Sequence, residues 1–527
     1  MIGRDRAKPS DPTGSIDPDF AETTAHARSE LEAPDDPEVG PPLPASAVFA
    51  SALAGIRDRV ARPIRAASFE VRQATTHEKT HEIFRLAWPV MASQVLVNLT
   101  GLIDRMMIGR LAAPGGAAVP LAAVGYASQL FNFVHTTLFS VGLACVALMA
   151  RAIGSGDAER ARHALLGSLQ IAALITLVYS SALYIWSEPV LRALGAEEGV
   201  VAIAAPYLQL TVIAALMLAF TLIFESALRA DRDPRTPMWI ALVVTVAKLS
   251  GNAVLIFGLF GAPRLELWGA GLATVLSQAI GLVLFLGVLA SRPRGGPTAI
   301  RLRELFAWSP MTREVIRIAI PGVAERIVLN LGLLSYFAVL SRWYGTLAVA
   351  TYTVGVSLLS FSWIPGTGFA QACSTLVGQT LGAGDRDGAM SLARRAVGLA
   401  FYASIPLALL FAWLREPLAR LFTDDAAVIG ALSPFMLTLA IGQPFLQTHF
   451  TLGGAHRGAG DTVTPLVAAM TGNWAIRLPA AIVIASVFQL DVVWIWGTLI
   501  LDHVARTIWL GLSFLRGRWR DAKGIAV

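Results

Sequence analysis

Charge is scarce in this chain. Asp, Glu, Lys and Arg together make up 15% of its 527 residues, where a soluble globular protein carries about 25%. Hydrophobic residues make up 55%, and the mean hydropathy is +0.60. That is more apolar surface than a soluble core can bury. A cytosolic enzyme, a disordered scaffold and a secreted disulfide domain are therefore excluded for the chain as a whole, and the bilayer is its natural solvent. Cysteine is nearly absent. Cys145 and Cys373 both sit inside apolar runs, with neither metal spacing nor a disulfide framework. The spans also lack Gly-x-Ser-x-Gly, His-Glu-x-x-His and a Walker loop, so nothing points to an intramembrane enzyme, a resident metal, a cofactor or an ATP-driven pump. The formal charge is +6 and the pI about 9.6. No compact basic domain exists to hold nucleic acid. The basic residues lie in short loops between apolar runs.

Residues 1–44 are rich in Pro, Asp and Glu, with ten acidic residues against Arg4, Arg6, Lys8 and Arg28. Such a stretch cannot bury enough apolar surface to offset its ordering entropy. No short apolar core follows a basic start, so a signal peptide is not expected. In residues 45–80, Arg57, Arg59, Arg62, Arg65 and Arg72 interleave with apolar residues. Either an amphipathic helix on the inner membrane face or an unstructured tail fits that pattern. Residues 1–80 are read as a cytoplasmic tail.

Long apolar runs follow at 83–108, 120–149, 164–186, 200–227, 237–260, 268–290, 316–341, 347–377, 392–413, 427–453, 464–487 and 491–515. Each can cross about 30 Å of hydrocarbon as a helix, which satisfies its own backbone hydrogen bonds. With the first loop outside, the even loops and the C-terminal tail hold 20 Arg and Lys against 6 in the odd loops. Both termini should then face the cytoplasm of an inner (plasma) membrane.

The halves repeat. Gly154-Ser-Gly-Asp157 matches Gly382-Ala-Gly-Asp385, Asp233 matches Asp461, and Cys145 matches Cys373, all at an offset of 228. Pro89 in LAWP matches Pro321 in IAIP at 232, the extra residues fitting the Ala-Pro-Gly-Gly loop near 115. Six spans is an even number, so both halves enter the membrane alike. The expected fold is an all-α membrane protein. Twelve transmembrane helices form two six-helix lobes, residues 81–295 and 296–527, related by a pseudo-two-fold axis along the membrane normal.

The segments LAWPVMASQVLVNLTGLID (86–104), ARAIGSGDAERAR (150–162), GAGLATVLSQ (269–278), STLVGQTLGAGD (374–385) and HRGAGDTVTP (456–465) resemble the MATE (multidrug and toxic compound extrusion) transporters, nearest the DinF-like bacterial branch. The resemblance covers roughly residues 80–520. It implies two lobes that rock between outward and inward openings. It also implies export of a small organic compound, a drug or lipophilic cation, in exchange for protons or sodium. The alternatives are a lipid or glycolipid flippase of the wider superfamily, which would want a basic cavity and extra spans, and an organic-anion exporter. A monomer in contact with membrane lipid is expected.

Asp104 is the first candidate, because an acid inside a span is costly and marks function by default. It lies 15 residues beyond Pro89, about 22 Å along the helix. Gln94, Asn98 and Gly101 share its face. This stripe resembles the family's first-helix cation site. The repeat does not copy the acid, because the matching position is Tyr336.

The fourth and fifth spans carry Tyr207, Glu225, Lys248 and Asn252. The resemblance implies asparagine at the positions of Glu225 and Lys248 and aspartate at that of Asn252, so this chain departs from the family there. A lysine in mid-membrane needs an anionic partner. Asp104 and Glu225 are the candidates, and the depths along each helix favour Asp104. Arg229, one turn from Glu225, is a rival partner for that acid. A resident ammonium would compete with sodium and tilt coupling toward protons. Thr274 and Gln278 are expected to add hydrogen bonds to the same cavity.

The second half carries Glu325, Arg326, Asp502, His503 and Arg506; Glu325 and Arg506 lie at similar depths, permitting Glu325–Arg506 or Arg326–Asp502 pairs, which either lock the inward side and break during the cycle or stay fixed as structural pairs. Pro89 is the candidate hinge. His135 and His449 read as lone packing histidines.

Overall fold

The computed structural model describes residues 76–111, 118–293, 295–299, 304, 308–420, 426–517 and 519. The expected tail lies outside the described residues except for 76–80, which open the first helix. Six long helices make up the first half: α1 Thr76–Ile108, α2 Ala118–Gly154, α3 Ala158–Ile185, α4 Glu198–Ala230, α5 Arg235–Phe257 and α6 Glu266–Ala290. The second half holds α7 Thr312–Ser362, α8 Ile364–Gly382, α9 Arg386–Trp413, α10 Ala426–Gly458, α11 Val463–Phe488 and α12 Val492–Arg516.

At 51 residues, α7 is about twice as long as a bilayer requires. Gly345 divides it, with φ 73° and ψ −165°, a backbone open to glycine but not to residues with a Cβ. Tyr352 lies with its ring centroid 5.1 Å from Tyr336 and 4.8 Å from Phe337. One straight helix would hold residues 336 and 352 about 24 Å apart. The chain therefore doubles back at Gly345, and its continuation joins α8 to complete the eighth of twelve passes.

Four buried clusters show how the lobes are built. Near the ends joined by the arginine-rich loops, one cluster gathers Leu148, Leu165, Ile223 and Val288 of the N-lobe, and it also holds Val315, Ile318 and Ala319 from the start of α7. The matching C-lobe cluster gathers Val377, Ala393 and Leu510, and it holds Ile83, Leu86 and Ala87 from the start of α1. At the opposite ends, Ile108 of α1 packs with N-lobe residues and Tyr336 of α7 with C-lobe residues. Each repeat's first helix thus begins in the other lobe's core and ends in its own. Pro89 and Pro321 lie between the two stretches.

The repeated motifs close the arginine-rich end. Asp157 caps α3 by accepting the Arg160 N–H at 2.8 Å, and Asp385 caps α9 by accepting the Gly388 N–H at 2.8 Å. Asp233 accepts the N–H and hydroxyl of Thr236, and Asp461 those of Thr464. Between the lobes, a Cβ on Gly154 would overlap the Gln379 carbonyl, and one on Gly382 would overlap the Arg151 carbonyl. Both pairs of positions differ by the repeat offset, so each lobe brings the same patch to the contact, as a two-fold axis demands. The Gln379 amide donates to the Ala230 carbonyl at 2.7 Å and accepts from Arg232, which also pairs with Glu82 at 2.7 Å. Lys79 donates to Ser391 and Arg395 to Thr80. Among the described residues, the hydrogen bonds that join the lobes lie at this end.

Gly154→Ala or Gly382→Ala must force the lobes apart here, at the cost of about 1–3 kcal/mol typical of overpacking. Spin labels at Ser155 and Ala383 should report a longer distance in either variant. An unchanged distance would show that this contact does not hold the face closed.

Candidate functional site

Asp104 is 9% exposed and lies between α1 and α5. Its Oδ2 accepts from Lys248 Nζ at 3.1 Å, and its Oδ1 accepts from Asn252 Nδ2. Lys248 and Asn252 are four apart on α5 and so present one face. One turn earlier on α1, Thr100 donates to Thr245 at 3.2 Å, joining the same two helices. Asn252 is fully buried, and its carbonyl Oδ1 has no hydrogen-bond partner. The cluster therefore holds one anion, one cation and a spare acceptor. Tyr207 is buried on α4. Gln94 and Asn98 are half-buried on α1, and a Cβ on Gly101 would meet open space. Arg105 is exposed.

Glu225 takes Arg229, one turn along α4, as its ion-pair partner. That leaves Asp104 as the carboxylate for Lys248. Thr274 spends its hydroxyl proton on the Ala270 carbonyl at 2.9 Å, the common fate of a hydroxyl in a helix with a free carbonyl four residues back. Gln278 is half-buried one turn further on. Among the described residues, no hydrogen bond ties Thr274 or Gln278 to the Asp104 cluster, contrary to expectation.

The second half corrects the expected gate. Neither Glu325–Arg506 nor Arg326–Asp502 forms. Asp502 and Arg506 sit four apart on α12, and the guanidinium meets the carboxylate through two bonds of 2.6 and 2.7 Å, a local fork that needs no other helix. Glu325 pairs with Arg457 from the end of α10 at 2.7 Å. The Arg326 guanidinium lies 5.0 Å above the Phe139 ring of α2. His449 is not lone: its Nε2 lies 3.2 Å from His503 Nδ1, with the rings stacked. Arg477, inside a π-helical turn of α11, donates to the Tyr352 hydroxyl at 2.8 Å and stacks on Tyr336.

A cavity opens among α2, α7, α8, α10, α11 and α12, lined by Arg326, Arg457, Arg506, Gln371, Ser374 and His449. None of the Asp104 cluster lines it. Arg457, Gln371 and Ser374 were not singled out in the sequence as a site. Gln371 and Ser374 did carry a signal there, as polar residues inside the apolar run around Cys373.

At the arginine-rich rim, outside the spans, Arg292 bridges Asp231 and Asp233 at 2.8 and 2.5 Å. Burial pushes the Asp231 carboxyl up to about 6, against the opposing pull of Arg292.

The MatE family model matches the chain twice, over residues 89–254 and 321–483. The chain belongs to the MatE family. It is therefore a multi-pass membrane transporter of the multidrug-efflux type and not an enzyme. A probable multidrug resistance protein NorM of Bradyrhizobium diazoefficiens is 33% identical over 456 residues, covering 83% of this chain and 92% of that one. The NorM protein of Thermotoga maritima is 28% identical over 442 residues, covering 83% and 92%. Among solved structures, the Vibrio cholerae MATE transporter VcmN D35N mutant superposes with a TM-score of 0.77 at 22% identity, covering 86% of this chain and 99% of that one. An outward-facing MATE family transporter gives 0.76 at 20%, covering 85% and 96%. The two family matches start at the two prolines, Pro89 and Pro321, so the MATE repeat is the repeat seen in the fold.

Two measurements on this MATE protein follow. Removing one partner of a buried ion pair typically costs about 3–5 kcal/mol. Lys248→Ala should lower the thermal midpoint in detergent, and adding Asp104→Asn should recover most of the loss; additive losses would show that the pair is not coupled. Asp231 has a folded pKa above its unfolded value of about 3.9. Between about pH 4 and 6 the native state keeps a proton that the unfolded state has released, so stability falls as pH rises through that window. Asp231→Asn should flatten this slope in thermal unfolding between pH 4 and 7; an unchanged slope would assign it to other groups.

Proposed function

We propose that this chain exports small organic compounds in exchange for protons, with the Asp104 cluster as the coupling site. The observation that carries the reading is a nearly buried carboxylate on α1 held by an ammonium and an amide of α5. In the ionised state Asp104 accepts from both. A proton removes its charge and with it the attraction for Lys248. The amide of Asn252 can then turn its unpartnered Oδ1 to accept the new carboxyl proton, so both protonation states find a partner. An aspartate at 252 would offer no such exchange.

The motion follows from how α1 is built. Its start is packed in the C-lobe core and its end in the N-lobe core. Loosening the end from α5 shifts a helix anchored in both lobes, with Pro89 as the pliable point. With the arginine-rich face taken as cytoplasmic, the lobes meet on the inside, and release of the seam is the step to the inward-open state. Sodium is disfavoured because the Lys248 ammonium occupies the same oxygens. The cluster is neutral overall, so it does not by itself call for a cationic cargo. Relatives named as multidrug resistance proteins support a broad range of small molecules.

The test is ethidium flux in proteoliposomes under an imposed pH gradient. Asp104→Asn should transport at less than about a tenth of the wild-type rate, the scale on which one general acid–base group acts. Lys248→Ala should shift the pH profile and admit a sodium gradient as a driving force. If Asp104→Asn pumps at the wild-type rate with the same pH profile, the coupling site lies elsewhere.

A further inference from the structure

The C-lobe cavity has more hydrogen-bond donors than it can satisfy. The one acid in its lining, Glu325, is committed to Arg457, and Asp502, outside the lining, takes up both arms of Arg506. Arg326 is left with the Phe139 ring, and among the described residues no carboxylate lies within ion-pair distance of it. Three further groups, on residues that line the cavity, have no hydrogen-bond partner among the described residues: Gln371 Nε2, Ser374 Oγ and Arg457 Nε. Gln371 is 8% exposed and Ser374 2%. A buried donor left unpaired costs about 1–3 kcal/mol, so each of these marks a place that a ligand atom can repay. The missing atoms are acceptors. Three arginines and one acid line the space, and even with Asp502 counted against Arg506 one positive charge is in excess.

We propose that this cavity is an oxyanion subsite, taking the carboxylate, sulfonate or phosphate group of the molecule carried. Arg326 supplies the uncommitted charge, and Gln371, Ser374 and the Arg457 Nε supply neighbouring donors. Such charge-assisted bonds are about twice as strong as neutral ones. Leu329, Phe450 and Leu510 line the same space and offer an apolar surface to the organic body. A cation finds no free carboxylate here. The site deepens the exporter reading by adding compounds with an acidic group to the cargo, and it rests on that reading for its place in transport. Two sources share the chemistry: a free organic anion and the headgroup phosphate of an anionic lipid.

Binding to the full chain in detergent separates the possibilities without needing transport. 5-Carboxyfluorescein, followed by fluorescence anisotropy, should bind saturably. Arg326→Gln and Gln371→Ala should each weaken it by about tenfold, the loss expected for one bond to a charged group. Ethidium binding should change less than about twofold in both variants, on the same scale. The second variant keeps the test informative if the first does not fold. If carboxyfluorescein fails but dihexanoyl phosphatidylglycerol binds with the same dependence on Arg326, the occupant is a lipid headgroup and the oxyanion site stands. If neither probe binds, or both variants bind as the wild type does, the site is overturned. Proton-driven ethidium flux is measured independently, so a failure of coupling and a failure of this site are told apart.

Discussion

The contact between Asp104 and Lys248 constrains the rest of the molecule. A lone carboxylate or ammonium at that depth would carry a desolvation penalty of several kcal/mol, and each residue offsets the penalty of the other. Meeting at 3.1 Å, they tie α1 to α5 through opposite charges. Asn252 completes the arrangement, because an amide can serve a carboxylate as donor and a carboxylic acid as acceptor. The acid has no copy in the C-lobe, since the matching position in the repeat is Tyr336, whose hydroxyl donates to the Ile495 carbonyl within the C-lobe.

The lobes differ in chemistry while sharing one frame. The same capping aspartates and the same close-packed glycines occur in both, spaced by the repeat, and they bring the arginine-rich ends together through a self-complementary contact. Beyond that frame the lobes diverge. The N-lobe buries a balanced acid–base pair, whereas the C-lobe surrounds an open space with arginines and idle donors. A proton site in one lobe and an anion site in the other would be linked through α1 and α7, each of which is anchored in both cores.

Much of this was legible in the chain itself. The apolar runs placed the passes, and the recurrence of Gly-x-Gly-Asp placed the two lobes. The partner of Lys248 was legible as well, because Arg229 sits one turn from Glu225 and removes the competing acid. The pairings of Glu325 and Arg326 were not. Depth along a helix gives one coordinate, and a side chain's direction around the axis gives another. Asp502 and Arg506 resolve locally because i and i+4 share a face, which frees Glu325 for Arg457, a residue that reads in sequence as one more loop charge.

Sequence alone determined that the chain is a twelve-pass bundle of two like halves with one acid inside its first apolar run, because hydropathy, charge and spacing are properties of segments taken one at a time. Tertiary structure decided the rest. That α1 and α7 each begin in the opposite lobe, that Gly154 and Gly382 bear on each other's lobes, that His449 meets His503, and that three residues with unpartnered donors line one cavity are all relations between distant segments. They depend on how helices are rotated and paired, and no pattern within a single helix carries that information.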